Sequence, residues 1–196
     1  MKKRVLVLAF DGCEDIEFVG FVDVLTRCGI ECRVISAFNS EFITTKSGLQ
    51  VDYDAGYAKF GYLCLDDGYD ALYVPGGAID SEFKEFMKEH SSYFNEQVAD
   101  FVKGGGLVVA NCIAPALLAK HHAFDFKPDY LVTCYPGGEV GNIAKEHHVA
   151  ETVYDDGQIL SGNGPSATVY LAELTASRLL DESATASKVL TQMGFK

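Results

Sequence analysis

Cys112 closes the apolar run Leu107-Val108-Val109-Ala110-Asn111 and is followed by Ile113-Ala114-Pro115, which opens a helical pattern running to His121. A cysteine between a strand and a helix sits on a tight turn, where small neighbours such as Ala110 and Ala114 give it room. Free N–H groups and the dipole at a helix start lower a thiol below its usual pKa of about 8.5 and make it a nucleophile. The same position also suits a buried structural thiol, the commonest state of a free cysteine. Glu17, in Asp11-Gly12-Cys13-Glu14-Asp15-Ile16-Glu17, follows the first apolar run. Lodged among Ile16, Phe18 and Val19, it is either a buried carboxyl or one more surface acid, while Glu14 suits the solvent near the helix start. A carboxyl buried beside a thiolate would have a raised pKa and titrate with it as a pair. Pro75-Gly76-Gly77 ends another apolar run, and glycines there allow backbone amides to approach a ligand closely, as an oxyanion hole requires.

The elements that must position these residues follow from the apolar pattern. Strands are expected over Arg4–Phe10, Glu31–Ala37, Ala71–Val74, Leu107–Asn111 and Tyr130–Cys134. Val149–Tyr154 and Gln158–Ser161, joined by Asp155-Asp156-Gly157, read as a hairpin, and Glu41–Thr45 with Gly48–Tyr53 as a smaller pair. Helices are expected over Glu14–Cys28, Ser92–Lys103, Ile113–His121, Pro165–Leu180 and Ser183–Met193. Strands alternating with helices imply a doubly wound, mostly parallel α/β sheet with helices on both faces. Ligands in such sheets bind beyond the carboxyl ends of the strands, here Asp11–Glu17, Pro75–Ala78, Asn111–Pro115 and Cys134–Gly138. The apolar positions of Glu14–Cys28 exceed one helical face, which predicts a contact surface.

At 196 residues, residues 1–196 are expected to form one domain. The net charge of −12, from 28 acidic and 16 basic residues, lacks any basic stripe and argues against nucleic acid. No run approaches the ~20 apolar residues of a membrane span. Val5–Phe10 is too short for a signal-peptide core, so a cytoplasmic protein is expected. Six scattered cysteines without a C-x-x-C read as reduced thiols. Cys13 and Cys134 fall on loops at the functional edge and read as packing, with a second thiol near Cys112 as the alternative. His121-His122 suits a helix C-terminus and His147-His148 precedes a strand, so neither a metal nor a cofactor is expected.

Six segments taken in register resemble the ThiJ/PfpI superfamily, within the class I glutamine amidotransferase-like fold, and its DJ-1-like branch. They are Arg4–Ala9, Gly12–Glu17, Val74-Pro75-Gly76-Gly77, Ala110-Asn111-Cys112-Ile113-Ala114-Pro115, Thr133-Cys134-Tyr135-Pro136 and Gly164-Pro165. The resemblance implies a flavodoxin-like homodimer with Cys112 as the reactive cysteine and Glu17 hydrogen-bonded to it. It places oxyanion amides at Gly77 and Ile113, and a pocket at Gly76, Asn111, Tyr135 and Asn163. Many members carry a histidine where Tyr135 stands, and peptidase-like members carry one where Ile113 stands. Without a Cys–His pair the chain is not expected to be a peptidase. The implied activity is that of a cofactor-free enzyme on small carbonyl electrophiles, glyoxalase- or deglycase-like, in stress defence. The alternatives are a redox sensor or chaperone-like protein oxidised at Cys112, and a hydratase-like Cys/carboxylate enzyme.

Overall fold

A computed structural model describes residues 2–38, 41–54, 63, 65, 68–78, 82–137, 142 and 144–196. Its main sheet is built from β1 (Arg4–Ala9), β2 (Glu31–Ser36), β5 (Ala71–Val74), β6 (Leu107–Asn111), β7 (Val153–Asp155) and β8 (Ile159–Gly162). The order is β2-β1-β5-β6-β8-β7, and only the edge strand β7 runs antiparallel to its neighbour. A separate pair, β3 (Ile43–Thr44) and β4 (Gln50–Val51), forms a small hairpin. Every residue of β5 and β6 is buried. That follows from their unbroken apolar sequences, since a strand covered on both faces has no polar alternation to satisfy.

Helix α1 (Phe21–Arg27) packs on α4 (Thr168–Leu180) and α5 (Ala184–Gln192), and α2 (Glu82–Lys103) packs on α3 (Ala114–Lys120) and β6. The fold is thus the α/β class expected, but three elements differ from expectation. Helix α2 begins ten residues before Ser92, because Phe83, Phe86 and Met87 extend the buried stripe of Phe94, Val98 and Val102. Tyr130–Cys134 is not a strand. It runs beside the sheet with one isolated bridge, Val132 to His148, and the Thr133 N–H donates to the Ser161 hydroxyl rather than to a strand carbonyl. The segment expected as one helix from Glu14 opens with a π turn, Ile16–Gly20, before α1. The wider turn buries Glu17 and Phe18 while Ile16 and Val19 stand exposed.

The described cysteines, Cys13, Cys28, Cys32, Cys112 and Cys134, are free thiols; Cys64 lies outside the described residues. Among the described residues no helix is long and apolar enough to cross a membrane, and no cluster of three His, Cys, Asp or Glu side chains is placed to hold a metal ion.

Candidate active site

Cys112 is the first residue past β6 and has φ of +59°, left-handed geometry that a side chain adopts only under constraint. Asn111 supplies the constraint. Its fully buried side-chain oxygen accepts the N–H groups of Cys112 (2.9 Å) and Gly164 (3.1 Å), and its amide nitrogen donates to the Gly164 carbonyl (3.2 Å) and the Thr168 hydroxyl (3.1 Å). The Cys112 N–H also reaches the Gly162 carbonyl at 2.9 Å. Asn111, expected to line the pocket, is instead the clamp that holds the turn. It ties the elbow to the start of α4, and Gly164 fits there because its φ of +146° is closed to ordinary side chains.

Glu17 has no exposed surface. Its Oε2 accepts the Gly76 N–H at 2.7 Å, while Oε1 has no hydrogen-bond partner. The Glu17 N–H is held by the Glu14 carboxylate at 2.9 Å, and its carbonyl accepts the Tyr73 hydroxyl at 2.8 Å. Glu14 is therefore half-buried and part of the scaffold rather than a plain solvent acid. Tyr73, stacked on Phe21 with ring centroids 3.6 Å apart, reads in sequence as one more core residue of β5. Only its hydroxyl, which a buried position obliges to find a partner, hints at this role.

Gly76 lies between the thiol and the carboxyl. A Cβ added there would fall 2.5 Å from Cys112 Cβ, 2.6 Å from Glu17 Oε2 and 3.0 Å from the Asn111 carbonyl oxygen. The two side chains thus converge on one glycine. Burial pushes the Glu17 carboxyl up to about 7, with the Cys112 thiol and the Gly76 N–H opposing the rise. Burial, and then the Glu17 charge, push the Cys112 thiol above its ordinary value, against the Ile113 N–H, which favours the thiolate. The acidic thiol expected from a helix start does not emerge. Helix α3 is only seven residues long, and the cost of charging the sulfur of a buried cysteine beside a carboxylate outweighs its dipole.

The remaining expected residues divide. The Ile113 N–H favours the charged form of the Cys112 sulfur. Gly77 bridges Cys13 across the turn, with the Ala78 N–H on the Gly12 carbonyl (3.2 Å) and the Glu14 N–H on the Gly76 carbonyl (2.9 Å). The Tyr135 N–H binds the Cys112 carbonyl at 2.8 Å, which brings the Thr133–Pro136 segment to the elbow. The Tyr135 ring leans over Gly137 and Gly164 and is 45% exposed. Asn163 is half-buried, and its N–H serves the Thr152 carbonyl at 3.0 Å. No contact among the described residues brings its side chain to Cys112. Cys13 and Cys134 are buried thiols as expected, Cys13 pushed up to about 12 and Cys134 to about 11, both by burial first. Gly138 lies outside the described residues.

The family model described as the DJ-1/PfpI family matches residues 3–177, spanning every element of this site. The chain belongs to the DJ-1/PfpI family. It is 29% identical over 180 residues to the Drosophila melanogaster protein dj-1beta, covering 91% of this chain and 90% of that one. Against the Parkinson disease protein 7 homolog of Danio rerio it is 27% identical over 186 residues, with the same coverage. The crystal structure of Drosophila DJ-1beta superposes over the whole of both chains with a TM-score of 0.83 at 27% identity. Toxoplasma gondii DJ-1 in an oxidized form shares the DJ-1/PfpI fold at a TM-score of 0.82 and 23% identity, over 98% of each chain.

Proposed function

We propose that this DJ-1/PfpI protein is a cofactor-free enzyme that uses Cys112 as a nucleophile and Glu17 as its proton carrier on small carbonyl electrophiles. One observation carries the reading: a fully buried carboxyl with a pKa near 7 shares Gly76 with a cysteine held in left-handed geometry. A carboxyl poised near neutral pH both takes and returns a proton efficiently. As the sulfur–carbon bond forms, the Cys112 proton passes to Glu17 and the carbonyl π pair moves onto oxygen. Glu17 then delivers the proton to that oxygen, and the Gly77 and Ile113 amides are assigned to hold it as it forms. No histidine is required, which sets the reaction apart from Cys–His peptidases.

Turnover of methylglyoxal to lactate tests the reading. Cys112→Ala is expected to abolish it, a loss of at least roughly 10³-fold given what a covalent nucleophile contributes. Equal turnover by the purified variant would overturn the proposal.

A second reading draws on the same neighbours. A protonated Glu17 and the Ile113 N–H, both beside the sulfur, are the donors a Cys112 sulfinate needs, and this would make the protein a redox sensor. Selective gain of two oxygens at Cys112 under mild peroxide, without methylglyoxal turnover, would favour it. The free thiols suit a reducing cytoplasm. We further infer a homodimer through the π turn, where Ile16 is 56% and Val19 47% exposed. Light scattering at micromolar concentration is expected to give twice the chain mass, and Val19→Glu to give a monomer; a monomeric parent protein refutes this.

A further inference from the structure

We propose that Lys46 makes the site selective for anionic electrophiles, namely carbonyl compounds that carry a carboxylate next to the reacting carbon. The inference rests on the reading of Cys112 as a nucleophile and adds the class of substrate.

Lys46 lies at the tip of the β3–β4 hairpin, and that tip is stitched to the site. The Lys46 N–H donates to the Cys13 carbonyl at 2.8 Å, and the Gly12 N–H to the Thr44 carbonyl at 2.8 Å. Asp11 accepts the Thr44 N–H at 2.7 Å, and Asp15 accepts the Ser47 hydroxyl at 2.6 Å, its N–H at 3.1 Å and the Thr45 hydroxyl. Cys13 in turn bridges Gly77, beside the glycine that separates Glu17 from Cys112. The backbone of Lys46 is thus fixed at the rim, while its side chain is exposed and forms no ion pair among the described residues.

The charges around it decide what it is for. Asp11, Glu14, Asp15 and Glu17 crowd one short loop in a chain of net charge −12, a setting that repels anions. Asp11 and Asp15 spend their oxygens on the hairpin, and Glu14 on the Glu17 N–H. Lys46 favours the charged form of the buried Glu17 carboxyl, and it opposes Glu14 there. An ammonium on a flexible stem, anchored at the rim of the site and in no ion pair among the described residues, pairs with a substrate carboxylate. With glyoxylate the thiol adds to the aldehyde: the S–C bond forms, the π pair moves to oxygen, and the thiol proton ends on that oxygen. The carboxylate stays ionised against Lys46, and nothing is oxidised or reduced.

Iodoacetate and iodoacetamide differ in charge but alkylate the same sulfur, so the change in their rate ratio at Cys112 on substituting Lys46 reads the field of that residue. Lys46→Gln is expected to slow iodoacetate roughly 3- to 10-fold and iodoacetamide by less than about 2-fold. Lys46→Arg restores the ratio, 0.5 M salt erases the difference (an ionic strength chosen to shorten the Debye length to roughly 4 Å), and Lys188→Gln on α5 leaves it unchanged. Equal slowing of both reagents, or none, overturns the proposal. Modification by neither reagent defeats the reactive-cysteine reading instead. In that case titration with oxamate decides Lys46 separately: shifts of the Gly76 and Gly77 amides that vanish in Lys46→Gln support it, and no shifts sink it.

Discussion

Gly76→Ala is expected to silence Cys112 and to destabilise the protein together. The added methyl would meet Cys112 Cβ at 2.5 Å and Glu17 Oε2 at 2.6 Å, separations that real Cβ atoms do not show. Neither neighbour can retreat cheaply. Cys112 is fixed by the Asn111 clamp, and Glu17 is enclosed, with its carbonyl on Tyr73 and its N–H on Glu14. Overpacking of this kind costs about 1–3 kcal/mol. Urea denaturation should show a drop of that order, and alkylation of Cys112 should slow by at least about tenfold in the protein that stays folded. A variant with parental stability and alkylation rate would mean that the thiol and the carboxyl do not share this glycine.

Glu17→Gln is expected to separate stability from catalysis, with opposite signs. The folded-state pKa of about 7 lies above the ordinary value of 4.5, so the native state holds this proton more tightly than the unfolded chain does. The associated stability is therefore fully present below the unfolded value and is lost as pH rises toward 7. Glutamine has no proton to lose and keeps an oxygen for the Gly76 N–H. The variant should show a flatter stability curve from pH 5 to 7, and a gain on the order of 1–3 kcal/mol at pH 8 relative to its standing at pH 4. With the carboxylate charge gone, the Cys112 thiol also ionises more readily, so its alkylation midpoint moves to lower pH. Turnover of methylglyoxal should nevertheless fall about 10²- to 10⁴-fold, because the proton carrier is missing. A more reactive thiol with less catalysis is a combination that a merely structural glutamate does not produce. A stability curve unchanged in slope would show that Glu17 is already ionised in the folded protein.

The parts of the molecule legible in sequence are those where one kind of force acts alone. Strands β1, β5 and β6 are apolar throughout because both faces are covered, and no competing pattern obscures them. Tyr130–Cys134 carries the same signature yet makes only one isolated bridge, since the Ser161 hydroxyl takes the Thr133 N–H that a ladder would have used. The start of α2 was hidden by Lys84, Glu85, Lys88 and Glu89, although Phe83, Phe86 and Met87 mark its inner face. At the site, Cys112 and Gly76 stand just past strand ends and Glu17 on the π turn that follows β1, where topology brings them together. Asn111 and Tyr73 act through polar side-chain atoms buried within apolar strands, and no pattern of residue types announces a partner more than fifty positions away.

The winding of residues Ile16–Gly20 makes the inward carboxyl a matter of residue count as well as residue type. A π turn holds one residue more than an α turn, and each residue in a helix advances the side-chain direction by about 100°. Removing one residue from that stretch would swing position 17 round toward the medium, even with every remaining amino acid unchanged. Chain length within five residues therefore decides whether this scaffold owns an internal acid at all.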